Sequence, residues 1–151
     1  MKKKYTTKST TSKMEEPMVP HIPLLVKLQG MSFLDITDAH MSGHWVRDLE
    51  EQTNLGKEEM AGIMGISMSK YYDLLKSKDI GSDNIDALAD FATFWQKGLD
   101  AFDEDVSLLK EWLESRNENL GNIKPIELLS SRVGRRILES AFLRIEYSTY
   151  G

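Results

Sequence analysis

The chain predicts an all-α fold, and three observations carry that prediction. Apolar residues recur at spacings of three and four from about Thr37 onward. No stretch there alternates apolar and polar residues as a half-buried strand would. The breaks between periodic segments hold residues that stop or start helices: Asn54 and Gly56, Gly65 and Ser67, Gly81-Ser82-Asp83. With 151 residues, 40% of them hydrophobic, and three Trp, five Phe and five Tyr, the chain is large enough for one domain, or for two small helical units sharing a core. The absence of cysteine excludes disulfides and thiolate metal sites. No run of about 18 apolar residues is present, so no membrane span is expected. A formal charge of −5 argues against a broad, sequence-independent nucleic-acid surface, because such binding rests on neutralising phosphates.

Residues 1–36 are expected to be a flexible N-terminal extension. The first sixteen are Lys/Ser/Thr-rich and then acidic, with little apolar content to bury. Lys2, Lys3, Lys4, Lys8 and Lys13 form a cationic arm that suits DNA phosphates, although solvated charge is the simpler reading. VPHIPLLVKL after this basic start is broken by prolines and a lysine, a poor signal-peptide core, so a cytoplasmic protein is expected. Pro17, Pro20 and Pro23 punctuate the segment; Leu24 to Leu28 fits either a short strand or a helical turn, and Phe33 to Ile36 is an apolar patch of unassigned conformation.

Asp38 or Ser42 is placed to cap a helix that carries Trp45, Val46 and Leu49 and runs to Thr53. Lys57-Glu58-Glu59 opens the next, with carboxylates in the first turn where the helix dipole favours them; it buries Met60, Ile63 and Met64. Ser67 caps a third helix, through Lys76. The fourth starts at Ser82 or Asp83 and carries a stripe of Ile85, Leu88, Ala89, Ala92, Trp95, Leu99 and Phe102 at a 3.6-residue period. Phe94 falls on its opposite side, a candidate homodimer contact with internal packing as the alternative. Asp103 is placed to cap a fifth helix with Val106, Leu109, Trp112 and Leu113 on its face.

KEEMAGIMGISMSKYYDLLK, residues 57–76, has the pattern of a helix-turn-helix. Ala61 is small where two helices must approach, Gly65 makes the tight turn, Ile66 plugs the core and Ser67 caps the second helix. In this register Tyr71 and Leu74 face inward. Ser67, Met68, Ser69, Lys70, Tyr72 and Lys76 are the candidate DNA-contacting residues, with Lys78 nearby. Asp73 and Asp79 oppose that charge, and no arginine lies between Arg47 and Arg116, so weak binding per monomer is expected, strengthened by a homodimer on paired half-sites. The segment resembles the Xre-type helix-turn-helix repressors.

Beyond Gly121, Pro125 stands at the first position of a short helix, where its missing N–H is harmless. Ser130 or Ser131 caps the last helix. On a helical wheel Val133, Ile137, Leu138, Ala141, Phe142 and Ile145 form the expected core face. Leu143 and Tyr147 lie on the other side with Arg132 and Arg136, residue types that carry energy at protein interfaces. The competing reading covers Leu143 with the N-terminal segment and leaves the arginines solvated.

Trp112-Leu113, Asn117 with Leu120-Gly121, Pro125-Ile126-Glu127-Leu128-Leu129, Gly134, Leu143-Arg144-Ile145-Glu146 and Tyr150 follow one another in an order that resembles the toxin-binding region of Xre/MbcA/ParS-type antitoxins. With the helix-turn-helix, the resemblance spans roughly residues 42–151. Departures are Arg116 where the family loop usually has proline, Asn122 for a second glycine, and Ser148-Thr149 for a Gly-Val-like pair. The resemblance implies an antitoxin of a RES–Xre toxin–antitoxin system. Its partner would be a RES-domain toxin that depletes NAD, its C-terminal region would cover the toxin's nucleotide pocket, and its helix-turn-helix would repress the operon. It implies a division into a helix-turn-helix domain at 37–102 and a toxin-binding domain at 103–151. Arg144, Glu146, Tyr147, Tyr150 and the Gly151 carboxylate carry over as toxin contacts, the anionic end suiting a pocket for dinucleotide phosphates.

No catalytic constellation is found. His21, His40 and His44 have no ligand-like spacing to carboxylates, Asp103-Glu104-Asp105 sits where acids ordinarily start a helix, and no glycine loop follows a strand. Neither enzyme activity nor a metal or cofactor is expected. The alternative to an antitoxin is a dimeric DNA-binding transcriptional regulator whose C-terminal unit only dimerises. A third reading is a partner-binding protein without DNA contact.

Overall fold

A computed structural model describes residues 24–150. Among them the architecture is all-α, with one isolated antiparallel bridge between Asn117 and Ile123. Eight α-helices follow in order: α1 (Leu24–Gln29), α2 (Phe33–Asp38), α3 (Gly43–Thr53), α4 (Lys57–Met64), α5 (Met68–Leu75), α6 (Ser82–Ala101), α7 (Val106–Glu114) and α8 (Arg132–Tyr150). Two short 3-10 turns, Glu118–Leu120 and Pro125–Leu128, join α7 to α8. Among the described residues no helix is long and apolar enough to cross a membrane.

The caps explain most of these boundaries. Ser32 and Asp35 make a reciprocal capping box that starts α2. Ser42, not Asp38, precedes α3, and Asn54 ends it in the left-handed conformation. Gly65, at φ +71°, closes α4 and lets the chain turn into α5, whose cap Ser67 accepts from the Lys70 N–H at 3.2 Å. Asp105, not Asp103, caps α7 by accepting from the Leu108 N–H at 3.0 Å. Asp103 and Glu104 instead take positive φ, and the Glu104 N–H donates to the Leu99 carbonyl at 2.8 Å. That turn closes α6, so Asp103 is too early to cap the next helix.

The long α6 is the axis of the fold. It buries Ile85, Leu88, Phe91, Ala92, Phe94, Trp95 and Leu99, with α1, α2, α4, α7 and α8 all packed against it. One continuous apolar cluster runs from Leu28 in α1 through Tyr71 and Trp95 to Phe142 in α8. The boundary expected at 102/103 falls inside it: Phe102 lies 5.8 Å from Trp112 and 6.3 Å from Phe142, ring centre to ring centre. Phe94, read as a possible dimer contact, is buried against Phe142 at 5.4 Å. An aromatic pair spanning two helices gains burial and favourable ring geometry together, which outweighs exposing either ring.

The described part of the expected flexible extension, residues 24–36, is largely helical. Leu24–Gln29 and Phe33–Asp38 are helical, and Leu28 is in the core, although Phe33 and Leu34 stay exposed. The cationic arm, the three prolines before Leu24 and His21 lie outside the described residues.

Candidate functional site

The site is built on α8, and its geometry starts from how that helix is seated. The Ser131 hydroxyl accepts from the Gly134 N–H at 2.8 Å, capping the first turn. Gly134 faces the preceding 3-10 turn so closely that a Cβ there would stand 2.2 Å from the Leu128 carbonyl oxygen. Next to it Arg135 is 3% exposed, an unusual burial for a guanidinium. Its Nη2 pairs with Asp90 Oδ2 of α6 at 2.8 Å and its Nη1 donates to the Leu129 carbonyl, while Nε has no partner among the described residues. Arg132 adds a second guanidinium to the same carboxylate at 2.8 Å and also reaches Asp86 at 2.9 Å.

These contacts set the rotation of α8, and the rotation corrects the expected core face. Leu138, Ala141 and Phe142 are buried, together with Gly134 and Arg135. Val133 and Ile137 are not: they are 61% and 44% exposed. The physical reason is the close approach at Gly134 and the Arg135–Asp90 pair, which turn that side of the first two turns toward α6 and swing Val133 and Ile137 outward.

The outward side of α8 therefore carries Val133, Ile137, Leu143 and Tyr147, the last two 53% and 73% exposed. Arg136 and Arg144 are exposed beside them and form no ion pair among the described residues. Of the other expected contact residues, Arg132 is half-exposed and tied to Asp86 and Asp90, and Glu146 is half-buried beside a small cleft with Lys97, Asp100 and Glu139. Tyr150 is the last residue of α8, and Gly151 lies outside the described residues. Sequence reasoning assigned Val133 and Ile137 to the wrong side. The signal that could have placed them was Gly134-Arg135: a glycine within a helix marks close backbone approach.

A second cluster lies on α5. Ser69, Lys70, Tyr72 and Lys76 are exposed, with Asp73 and Lys78 beside them. Ser67 spends its hydroxyl on the cap, and Met68, expected to face outward, is half-buried and packed on the core. Beneath this surface Tyr71 is fully buried and donates its phenol hydrogen to Glu50, which also receives Lys57 at 2.8 Å, tying α3, α4 and α5 together. Burial, then the Glu50 hydrogen bond, pushes the Tyr71 phenol far above its usual range. Asp79, after α5, is held below the usual carboxylate range by its hydrogen bond to His40 at 2.9 Å and then by the Gly81 N–H. No group of three or more His, Asp or Glu among the described residues is placed to hold a metal ion.

No protein-family model matches this chain, and no curated protein matches it either.

Proposed function

We propose that this chain is an antitoxin: it binds a RES-domain, NAD-depleting toxin through the outer face of α8, covers the toxin's active site, and represses its own operon through α4 and α5. The observation that carries this reading is the mixed apolar and cationic surface of α8. Val133, Ile137, Leu143 and Tyr147 stay exposed on one helix, beside Arg136 and Arg144, while the opposite side supplies the core. Large apolar side chains left exposed together on one helix face mark an interaction surface more readily than ones scattered singly. Tyrosine and arginine around aliphatic side chains are the types that concentrate interface energy. The identity of the partner rests on the ordered motifs from Trp112 to Tyr150.

The repressor role rests on the exposed face of α5. Lys70 and Lys76 suit phosphates and Ser69 and Tyr72 suit groove-side hydrogen bonds, whereas Asp73 works against both. A homodimer on paired half-sites would raise the affinity. A cytoplasmic location fits a protein that meets both an operator and an intracellular toxin.

Co-expression with a RES-domain toxin tests the reading. The wild-type chain should restore growth and co-purify with the toxin, and Leu143→Asp with Tyr147→Ala should lose both while the melting temperature stays put. A wild-type chain that neither rescues nor co-purifies sinks the antitoxin reading. The same α8 face also suits a second copy of the chain, the basis of the alternative dimeric regulator. That reading gains if the chain alone is dimeric and Leu143→Asp makes it monomeric without altering any toxin binding. A mobility-shift assay on its own promoter, with and without toxin, decides the repressor role.

A further inference from the structure

We propose that the cleft between the 116–124 loop and α8 is a socket for an acidic side chain of the bound partner protein; only the partner's identity rests on the antitoxin reading. The cleft measures about 260 Å³, room for one inserted side chain, and lies between Trp112 of α7, Asn117 and Asn119 of the loop, and Arg144 and Ser148 of α8. Among the described residues Arg144 is the one ionisable group lining it, and none of them forms an ion pair with it.

The neutral groups also point to an anion. Asn117 Oδ1 is occupied, accepting from the Asn119 N–H at 2.9 Å, which leaves the Asn117 amide hydrogens for a ligand. The Asn119 side chain adds a second amide, and no hydrogen bond among the described residues uses it. Ser148 donates its hydrogen to the Ile145 carbonyl at 2.9 Å. The groups with hydrogens to give are thus a guanidinium and two amides, and a carboxylate is the protein side chain that accepts from all of them.

The loop that presents these amides is held before any ligand arrives. Asn117 pairs across to Ile123 at 2.9 Å, Arg116 donates to the Asn122 carbonyl at 3.0 Å, and Gly121 and Asn122 make the turn at φ +80° and +64°. A site already in its binding geometry loses less ordering entropy on association. The contrast with two other clefts among the described residues sharpens the assignment. The one beside Glu146 offers Asp100, Glu139 and Glu146 against Lys97, and the one behind α5 offers Asp73, Asp79 and Asp83 against Lys70. On a chain of net charge −5, this cleft is the cationic one of the three.

Two measurements on the full chain separate the socket from the antitoxin reading. Titration by NMR with N-acetyl-glutamate N-methylamide should shift the Asn117 and Asn119 side-chain amides and the Trp112 indole. The neutral glutamine analogue should not, and Arg144→Gln, at an exposed position with an unchanged melting temperature, should abolish the shifts. In the second, Arg144→Glu should weaken toxin binding about a hundredfold, with Arg144→Lys intermediate. Wild type and Arg144→Glu binding the toxin equally would overturn the socket and leave the antitoxin reading standing. If the wild type binds no toxin, that reading falls and the titration alone decides: carboxylate-specific shifts support the socket, equal shifts with both probes or none overturn it.

Discussion

Replacing Asp90 with asparagine tests whether the Arg135 pair seats α8. The substitution keeps the size of the side chain and removes its charge. Arg135 is 4% exposed at the side chain and would keep only the Leu129 carbonyl as a strong acceptor, with its Nε already without a partner. Breaking a buried ion pair costs about 3–5 kcal/mol, because a desolvated charge is left behind. Asp90 itself is 36% exposed, so water reaches that position and the expected loss falls to about 2–3 kcal/mol. For a chain of this length that is a drop in melting temperature of about 4–12 °C. Thermal denaturation followed by circular dichroism measures it, with Asp86→Asn as the control. Asp86 holds only the half-exposed Arg132, and its loss should stay within about 0.5 kcal/mol. Replacing both partners, Asp90→Leu with Arg135→Met, should recover most of the stability, since an apolar pair of similar volume avoids the desolvation penalty. Equal, small effects from Asp90→Asn and Asp86→Asn would refute the reasoning.

Three further outcomes follow from the same geometry. Phe142→Ala should destabilise by about 3–5 kcal/mol, because its ring packs on Phe94, Phe102 and Trp112, whereas Val133→Asp should leave urea denaturation nearly unchanged. Gly134→Ala should cost about 1–3 kcal/mol in the same assay, since its Cβ must push the Leu128 carbonyl away. Asp79 has a folded-state pKa below its unfolded value, so its contribution is present above the ordinary carboxylate pKa and is lost as pH falls through the depressed folded value. Acid titration of stability should therefore show a shallower loss for Asp79→Asn than for the wild type below about pH 4, and identical profiles would remove the His40–Asp79 contact from the account.

The parts of this fold legible in the sequence are those decided within a few residues. Gly65 and Ser67 announce the α4–α5 turn, and Pro125 announces the 3-10 turn before α8, because a cap or turn depends on its own residue type. The misplaced features depend on partners far along the chain. Phe94 finds Phe142, and Arg135 finds Asp90 forty-five positions away. Periodicity treats Arg135 as an outward residue, since a lone buried guanidinium is costly, and nothing local reveals the carboxylate that offsets the cost. Asp103, Glu104 and Asp105 look equivalent as caps until the left-handed turn closing α6 uses the first two.

The rotation of α8 also decides how stability and recognition are separated. Had Val133 and Ile137 joined the core, as their spacing suggests, the outer face would have held Leu143 and Tyr147 alone among polar neighbours. With a guanidinium in the core instead, the helix directs four apolar side chains outward and keeps Leu138, Ala141 and Phe142 inside. A buried Arg–Asp pair is a weak source of stability compared with apolar packing. Its effect here is on orientation, because neither α6 nor α8 can rotate without stranding a charge. The apolar double replacement at 90 and 135 is therefore the sharper test of function. It should preserve the melting temperature while relaxing the rotation of α8, so partner affinity should fall even though no residue of the outer face has changed. Full retention of affinity by that variant would mean that the core fixes the face without the ion pair.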